Sequence, residues 1–281
     1  MFVKAYAKIN LFLDVLSKRD DGYHDLNMVM LPLELHDLIQ IETAPNLMDS
    51  FITTDHVDLQ VAKFNLITST LNAMEKRYGV HRKYVISVHK EIPISAGLGG
   101  GSSNSAAVIK AIEHFEKLKL SWDEQVSLGA SLGADVPFCL ANKPAHVEGI
   151  GEKVTPIKMK KKYDVIIIKP SQGLSTRKVF ELGDTMELDH GNAENVIKAL
   201  ETGDDALLEQ SLFNSLEKPS ISMVPEIQEA KDALRACGFK MVLMSGSGSS
   251  VFALTTDHKR AVTKYHELEK KGYEVYLTRT L

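Results

Sequence analysis

One run of residues limits this chain more than any other: Pro93-Ile94-Ser95-Ala96-Gly97-Leu98-Gly99-Gly100-Gly101-Ser102-Ser103-Asn104. The β-rich segment Tyr84 to His89 leads into it. Val108, Ile112, Phe115 and Leu118 lead out, at spacings that place them on one face of a helix. Four glycines and two serines therefore sit where a strand hands over to a helix start. Glycine lets backbone approach a ligand with no Cβ in the way. The first N–H groups of a helix lack internal partners and carry partial positive charge. Together these features make an anion cradle, and phosphate is the natural occupant. The plainer alternative is a tight strand-to-helix turn.

Known phosphate loops are excluded one by one. Walker A needs Gly-Lys-Ser/Thr, and the sequence has no Gly-Lys pair. In the dinucleotide fingerprint, Gly97 and Gly99 fit but Ser102 stands where the third glycine belongs. Protein kinases need Asp-Phe-Gly and His-Arg-Asp, and both are missing.

The remaining composition narrows the class. A chain of 281 residues is long enough for one large or two medium domains with real cores. A net charge of −4 with interspersed signs argues against nucleic acid as a partner. The basic run Lys158 to Lys162 reads as a solvated loop before a strand. No apolar run reaches membrane-spanning length, and the first residues open into strand-like sequence without a signal-peptide core. Cys139 and Cys237 show neither metal spacing nor a disulfide framework; they read as small core residues in a reducing compartment, so a cytoplasmic location is expected. The ten histidines are scattered, and a zinc site is not expected.

Residues 2 to 16 alternate as a strand, with Val3, Ala5, Ala7, Ile9, Leu11, Leu13 and Val15 on one side and Lys8 and Asn10 on the other. A lysine on such a strand is expected at an edge or on the solvent face. Asp21-Gly22 signals a turn before Tyr23-His24, which could be no more than a turn with an exposed aromatic. Residues 26–43 read as strand, and 65–78 as a helix with Ile67, Leu71, Met74 and Tyr78 on one face, stopped by Gly79. Ser121-Trp-Asp-Glu124 is a capping box for a helix through Leu132. Asp135, before Val136-Pro137, reads either as an N-cap or as a catalytic carboxylate. Residues 148–152 read as a turn.

Beyond about residue 155 a buried strand, 163–169, is followed by helices near 175–182, 192–202, 204–216 and from Pro225 to Gly238. Strands at 241–244 and 251–254 flank Ser245-Gly246-Ser247-Gly248-Ser249-Ser250, and a helix at 258–271 and a strand at 273–278 follow. This order suggests a split β–α–β, ferredoxin-like arrangement. Two α+β domains are expected, 1–155 and 156–281. The second glycine-serine loop is either a plain hairpin turn or a second ligand loop facing the first across a cleft.

Three blocks together resemble the GHMP kinases, named for galactokinase, homoserine kinase, mevalonate kinase and phosphomevalonate kinase. They are Ala5-Tyr-Ala-Lys-Ile-Asn-Leu11, Pro93 to Asn104, and Met244 to Phe252. Ala7-Lys-Ile-Asn-Leu-Phe-Leu13, Asp21-Gly-Tyr-His24 and Leu132-Gly-Ala-Asp-Val-Pro-Phe138 are similar to the branch that acts on a cytidine diphosphate sugar alcohol in non-mevalonate isoprenoid precursor biosynthesis. The resemblance runs from Ala5 to about Phe252. It implies an α+β, two-domain fold, with an N-terminal domain like ribosomal protein S5 domain 2 and a C-terminal ferredoxin-like domain. It implies ATP-dependent phosphorylation of an alcohol by a monomer or homodimer.

Residue by residue, the resemblance implies a catalytic pair of Lys8 and Asp135. Asp135 would take or orient the acceptor's proton. Lys8 would keep that carboxylate ionised and neutralise charge near the γ-phosphate. Pro93 to Ser103 would hold the β- and γ-phosphates, with Gly246, Ser247 and Gly248 as the third motif. Mg²⁺ would bridge the phosphates, and for its protein ligand Ser102 and Ser103 are both open. Tyr23 and His24 would read the cytidine, with Phe180 on the opposite side of the base, and Asn10 would contact the sugar-alcohol arm. Asn65 and Lys90 match residues of the adenine pocket. Two departures stand out: Gly248-Ser249-Ser250 replaces Gly-Pro-Thr or Gly-Ala-Cys, and Asn104-Ser105 replaces Asp-Ala. Two alternatives are a GHMP kinase with another acceptor, such as mevalonate or a different sugar alcohol, and a nucleotide-binding homologue without turnover.

Overall fold

The structure, a computed structural model, describes residues 1–55 and 66–281. The chain divides into two compact units that interleave along the sequence. The first comprises 1–7, 35–92 and 99–142; the second comprises 8–34, 93–98 and 143–281. Two strands, β1 (Phe2–Lys18) and β2 (His24–Thr43), contribute residues to both.

In the first unit β3 (Phe51–Thr54) pairs in parallel with β4 (Tyr84–His89), and β4 pairs antiparallel with residues 38–43 of β2. Among the described residues, α1 (Leu66–Tyr78), α2 (Gly100–Glu116), α3 (Trp122–Leu132) and α4 (Val136–Ala141) accompany them. Val108, Ile109 and Ile112 of α2 are fully buried, each contributing about 1.5–3 kcal/mol. Lys117, in the left-handed conformation, ends α2, so Leu118 lies beyond the helix that the apolar spacing assigned it to. The capping box forms as the sequence specifies. Ser121 Oγ accepts from Glu124 N, and the Glu124 carboxylate accepts from Ser121 N at 2.8 Å.

In the second unit the turn at Asp21-Gly22 closes with Gly22 N donating to Arg19 O (3.1 Å) and Arg19 N to Tyr23 O (2.8 Å). Residues 26–30 of β2 pair with β5 (Ala145–Gly149), which pairs with β6 (Lys153–Pro156). The segment expected only as a turn is thus the tip of a hairpin. A four-stranded sheet has the order β11 (Glu274–Arg279), β7 (Asp164–Lys169), β10 (Val251–Thr255), β9 (Met241–Met244), with every neighbouring pair antiparallel. Strands β7 and β9 therefore run the same way with β10 between them, and β10 and β11 run the same way with β7 between them. These are the two split crossovers of the ferredoxin-like arrangement.

Helices α5 (Thr176–Gly183), α6 (Ala193–Thr202), α7 (Asp205–Ser211), α8 (Glu217–Met223), α9 (Glu226–Ala236) and α10 (His258–Lys270) complete the second unit. The helix expected over 204–216 stops at Ser211. The chain then forms β8 (Phe213–Asn214), parallel to β1 at Phe12 and Leu13.

Candidate active site

Lys8 is not on a solvent face: it is 3% exposed, and Asn10 is fully buried. Both faces of β1 are covered from Ala7 to Val15, because the outward side receives the glycine loops. Lys8 N donates to Leu98 O at 3.0 Å, while Lys8 Nζ donates to Asn10 Oδ1 at 2.8 Å. A buried ammonium persists only with such partners. Asn10 Nδ2 in turn rests against Met28 Sδ at 3.5 Å.

The third motif closes the β9–β10 hairpin and is also the partner of the first glycine loop. Segment 245–250 packs directly onto Ser95 to Leu98 instead of facing it across a gap. Ser245 Oγ donates to Gly97 O (3.0 Å), and Ser250 N donates to Ala96 O (3.2 Å). Gly97 has φ +74°, and a Cβ there would meet Ser245 O at 2.1 Å. Gly246 has φ +57°, and a Cβ there would lie 3.2 Å from Lys8 Nζ. Only glycine at both positions lets backbone, backbone and ammonium come this close.

Asn214, delivered by β8, donates from Nδ2 to Met244 O (2.9 Å) and to Gly246 O (2.8 Å). Ser220 Oγ donates to Ser247 O, and Thr176 Oγ1 shares a hydrogen bond with Ser247 Oγ. These polar supports of the third motif carry no local motif of their own in the sequence. Periodicity had merged Asn214 into a helix.

In the first unit α2 starts at Gly100 with no side-chain cap, its preceding residue Gly99 at φ 71°. The leading N–H groups therefore have no capping side chain to satisfy them. Ser103 Oγ donates to Tyr6 O at 2.6 Å and is buried, whereas Ser102 is half-buried. Lys90 is turned inward: its ammonium is paired with the fully buried Asp37 and lies 3.4 Å from Asn104 Oδ1. Asp37 also accepts from Glu91 N, Ile92 N (both 2.9 Å) and Asn104 Nδ2 (2.8 Å). This network pins the chain just before Pro93, and Asp37 was not singled out by the sequence. Asn104 supplies an amide that donates to Asp37. Asp135 occupies the N-cap position of α4 with φ −83° and is half-buried, but its carboxylate makes no capping hydrogen bond. Asn65 lies outside the described residues.

Tyr23 is 58% exposed at the turn. His24 is more enclosed: its ring lies 4.8 Å from that of Phe180, tilted by 33°. Its Nε2 is 2.6 Å from Asp184 Oδ1, and Lys18 Nζ is 2.6 Å from Asp184 Oδ2. The hydrogen bonds from Lys18 and then His24 hold the Asp184 carboxyl below the usual carboxylate range.

Paired glycine loops around a buried lysine define a phosphate-handling kinase fold. The description "GHMP kinases N terminal domain" matches residues 65–143, and "GHMP kinases C terminal" matches 196–274. The chain belongs to the GHMP kinase family, and it is a small-molecule kinase of the ATP-dependent kind. It is 39% identical to the 4-diphosphocytidyl-2-C-methyl-D-erythritol kinase of Caldicellulosiruptor saccharolyticus, over 100% of this chain and 97% of the relative. The enzyme of the same name from Clostridium kluyveri is 36% identical over 100% of both chains. A crystal structure of 4-(cytidine 5'-diphospho)-2C-methyl-D-erythritol kinase superposes with a TM-score of 0.81 at 29% identity, covering 100% of this chain and 99% of that one.

Proposed function

We propose that this kinase transfers the γ-phosphate of ATP to the 2-hydroxyl of 4-diphosphocytidyl-2-C-methyl-D-erythritol, the compound in the names of its relatives. The observation that carries the reading is the convergence of β1, Ser95 to Leu98 and the 245–250 loop on the buried Lys8 ammonium. A buried cation held by Asn10 beside two closely packed backbone loops suits a transferring phosphoryl group, whose catalysis is mostly positioning and charge neutralisation.

The residue roles belong to the same proposal. Pro93, Ile94, Ser95, Ala96, Gly97, Leu98, Gly99, Gly100, Gly101, Ser102 and Ser103 cradle the β- and γ-phosphates, with Gly246, Ser247 and Gly248 bracing the loop. Lys8 offsets charge near the γ-phosphate. Asp135 takes or orients the hydroxyl proton; that oxygen is tertiary and crowded, which raises the demand on alignment. Asn10 contacts the sugar alcohol, while Tyr23, His24 and Phe180 read the cytosine. Asn65 and Lys90 serve the adenine end, Lys90 with its charge committed to Asp37.

Mg²⁺ enters with the nucleotide. Among the described residues no group of three or more His, Cys, Asp or Glu side chains is arranged to hold a metal. The half-buried Ser102 hydroxyl in the first turn of α2 is an oxygen donor of the kind a hard divalent cation takes. Ser102 is the hydroxyl we assign to it, since that of Ser103 is committed to Tyr6. When bound, the ion would supply charge neutralisation for the phosphates.

The division near residue 155, a cytoplasmic setting and a monomer or homodimer complete the reading; Cys139 and Cys237 are both buried. Among the described residues no helix is long and apolar enough to cross a membrane. The test is ADP release from Mg-ATP with the cytidyl acceptor, beside mevalonate and no-acceptor controls. Release that depends on the cytidyl acceptor is expected. Release with mevalonate alone, or ATP binding without transfer, overturns the reading.

A further inference from the structure

His24, Asp184, Lys18 and Phe180 form a cluster within the second unit. An ionised carboxylate has no proton to give and can only accept. The 2.6 Å contact between His24 Nε2 and Asp184 Oδ1 therefore requires the imidazole proton on Nε2. Lys18, on the other carboxylate oxygen, keeps Asp184 ionised and turned toward the ring. In the neutral imidazole the second nitrogen, Nδ1, is then a lone-pair acceptor. Nδ1 makes no hydrogen bond among the described residues, and it is not sealed from solvent either: Ser250 Oγ is the one described buried side-chain polar atom without a partner. The ring thus presents a single acceptor beside an aromatic face.

We propose that Asp184 is a positioning residue that fixes His24 in the Nε2-protonated tautomer, making the site select a nucleobase with an exocyclic amino group over one with a carbonyl there. Cytosine carries an amine at C4, which can donate to Nδ1. Uracil carries oxygen at C4, which would set two lone pairs against each other. The proposal rests on the reading that His24 and Phe180 contact the base. It goes beyond that reading in assigning the choice of base to a third residue that touches neither base nor phosphate.

The experiment uses the full-length enzyme with two acceptors, the cytidine diphosphate and uridine diphosphate forms of methylerythritol. For each, kcat/KM is measured in the wild type and in Asp184→Ala, Asp184→Asn and His24→Ala. One misplaced donor or acceptor at a base edge changes discrimination by about 10- to 100-fold. Asp184→Ala is expected to lower the cytidine-to-uridine preference by that amount, mainly through the KM of the acceptor, with the KM of ATP unchanged. Asp184→Asn, whose amide can accept or donate, is expected to fall between. Nitrogen-15 spectra of His24 at the assay pH should show a protonated Nε2 and a bare Nδ1 in the wild type, and loss of that single state in Asp184→Ala. A merely structural Asp184 would lower activity toward both acceptors equally and leave the ratio intact; that result overturns the proposal. So does a wild-type spectrum with the proton on Nδ1 or on both nitrogens. If His24→Ala leaves the acceptor KM unchanged, the underlying reading of the base site fails instead.

Discussion

Gly97→Ala tests the loop-on-loop architecture most directly. Gly97 has φ +74°, where an alanine costs roughly 1–2 kcal/mol. Its added Cβ would sit 2.1 Å from Ser245 O, a backbone atom that cannot rotate away. The two loops must separate by about an ångström to restore ordinary van der Waals spacing. That movement strains the bonds from Ser245 Oγ to Gly97 O and from Ser250 N to Ala96 O, each worth about 0.5–1.5 kcal/mol net. The combined loss is about 2–5 kcal/mol, a large part of a typical total stability of about 5–15 kcal/mol. For a chain of this size each kcal/mol shifts the melting temperature by about 2–4 °C, so a fall of about 4–20 °C is expected.

The assay is a thermal melt followed at two wavelengths, with ATP KM measured well below the new midpoint. Gly101→Ala is the matched control: its Cβ would meet Leu66 Cδ1 at 3.9 Å, ordinary contact, so the melt should not fall. An unchanged melt and ATP KM in Gly97→Ala would refute the reasoning, because the close approach of the loops would then carry no energy.

Four further outcomes are expected. Asp135→Asn should cut turnover by orders of magnitude with little change in ATP affinity; near-normal turnover removes Asp135 from the mechanism. Tyr23→Ala should raise the KM of the cytidyl acceptor far more than that of ATP, and equal effects would place Tyr23 outside base recognition. Lys90→Met leaves the buried Asp37 charge without its cation and should cost about 3–5 kcal/mol in a denaturant titration, with Asp37→Asn together with Lys90→Met recovering part of it; a loss under 1 kcal/mol counts against the pair as the anchor of the loop. The Asp184 carboxyl titrates lower in the folded chain than in the unfolded one, so it stabilises the fold above its ordinary value of 3.8 and ceases to do so as pH falls through its depressed folded value. The melting-temperature gap between wild type and Asp184→Asn should therefore be present at neutral pH and close on acidification below about 4; a constant gap would deny the linkage.

What the sequence revealed depended on whether its signals were local. The capping box at Ser121, the glycine-rich start of α2 and the hairpin around 245–250 are written in adjacent residues, and the structure contains them all. The ferredoxin-like order followed from the succession of buried strands and helices. The burial of Lys8 did not follow, because its cover comes from Leu98 and Gly246, far away in sequence. Strand β8 is two residues long and owes its existence to pairing with Phe12 and Leu13, so helical periodicity absorbed it. Helix α8 has a proline, Pro219, in its first turn, where proline is tolerated but reads as a breaker. Asp37, Asp184 and Asn214 are single polar residues whose roles exist only through distant partners, and no spacing rule points to them.

The interleaving of the two units sets a timetable for biogenesis. Strand β1, which bears Lys8, precedes the other elements of its unit in the sequence, yet that unit also needs 93–98, the pairing of Phe12 with Phe213, and β11 against β7. Thr280 and Leu281 then fasten back onto Leu33 and Pro32. At about 5–20 residues per second, tens of seconds separate the first of these partners from the last. Strand β2 follows at once and lies beside β1 in the sheet, but the lysine-bearing unit is complete only when β8 and β11 have also been made.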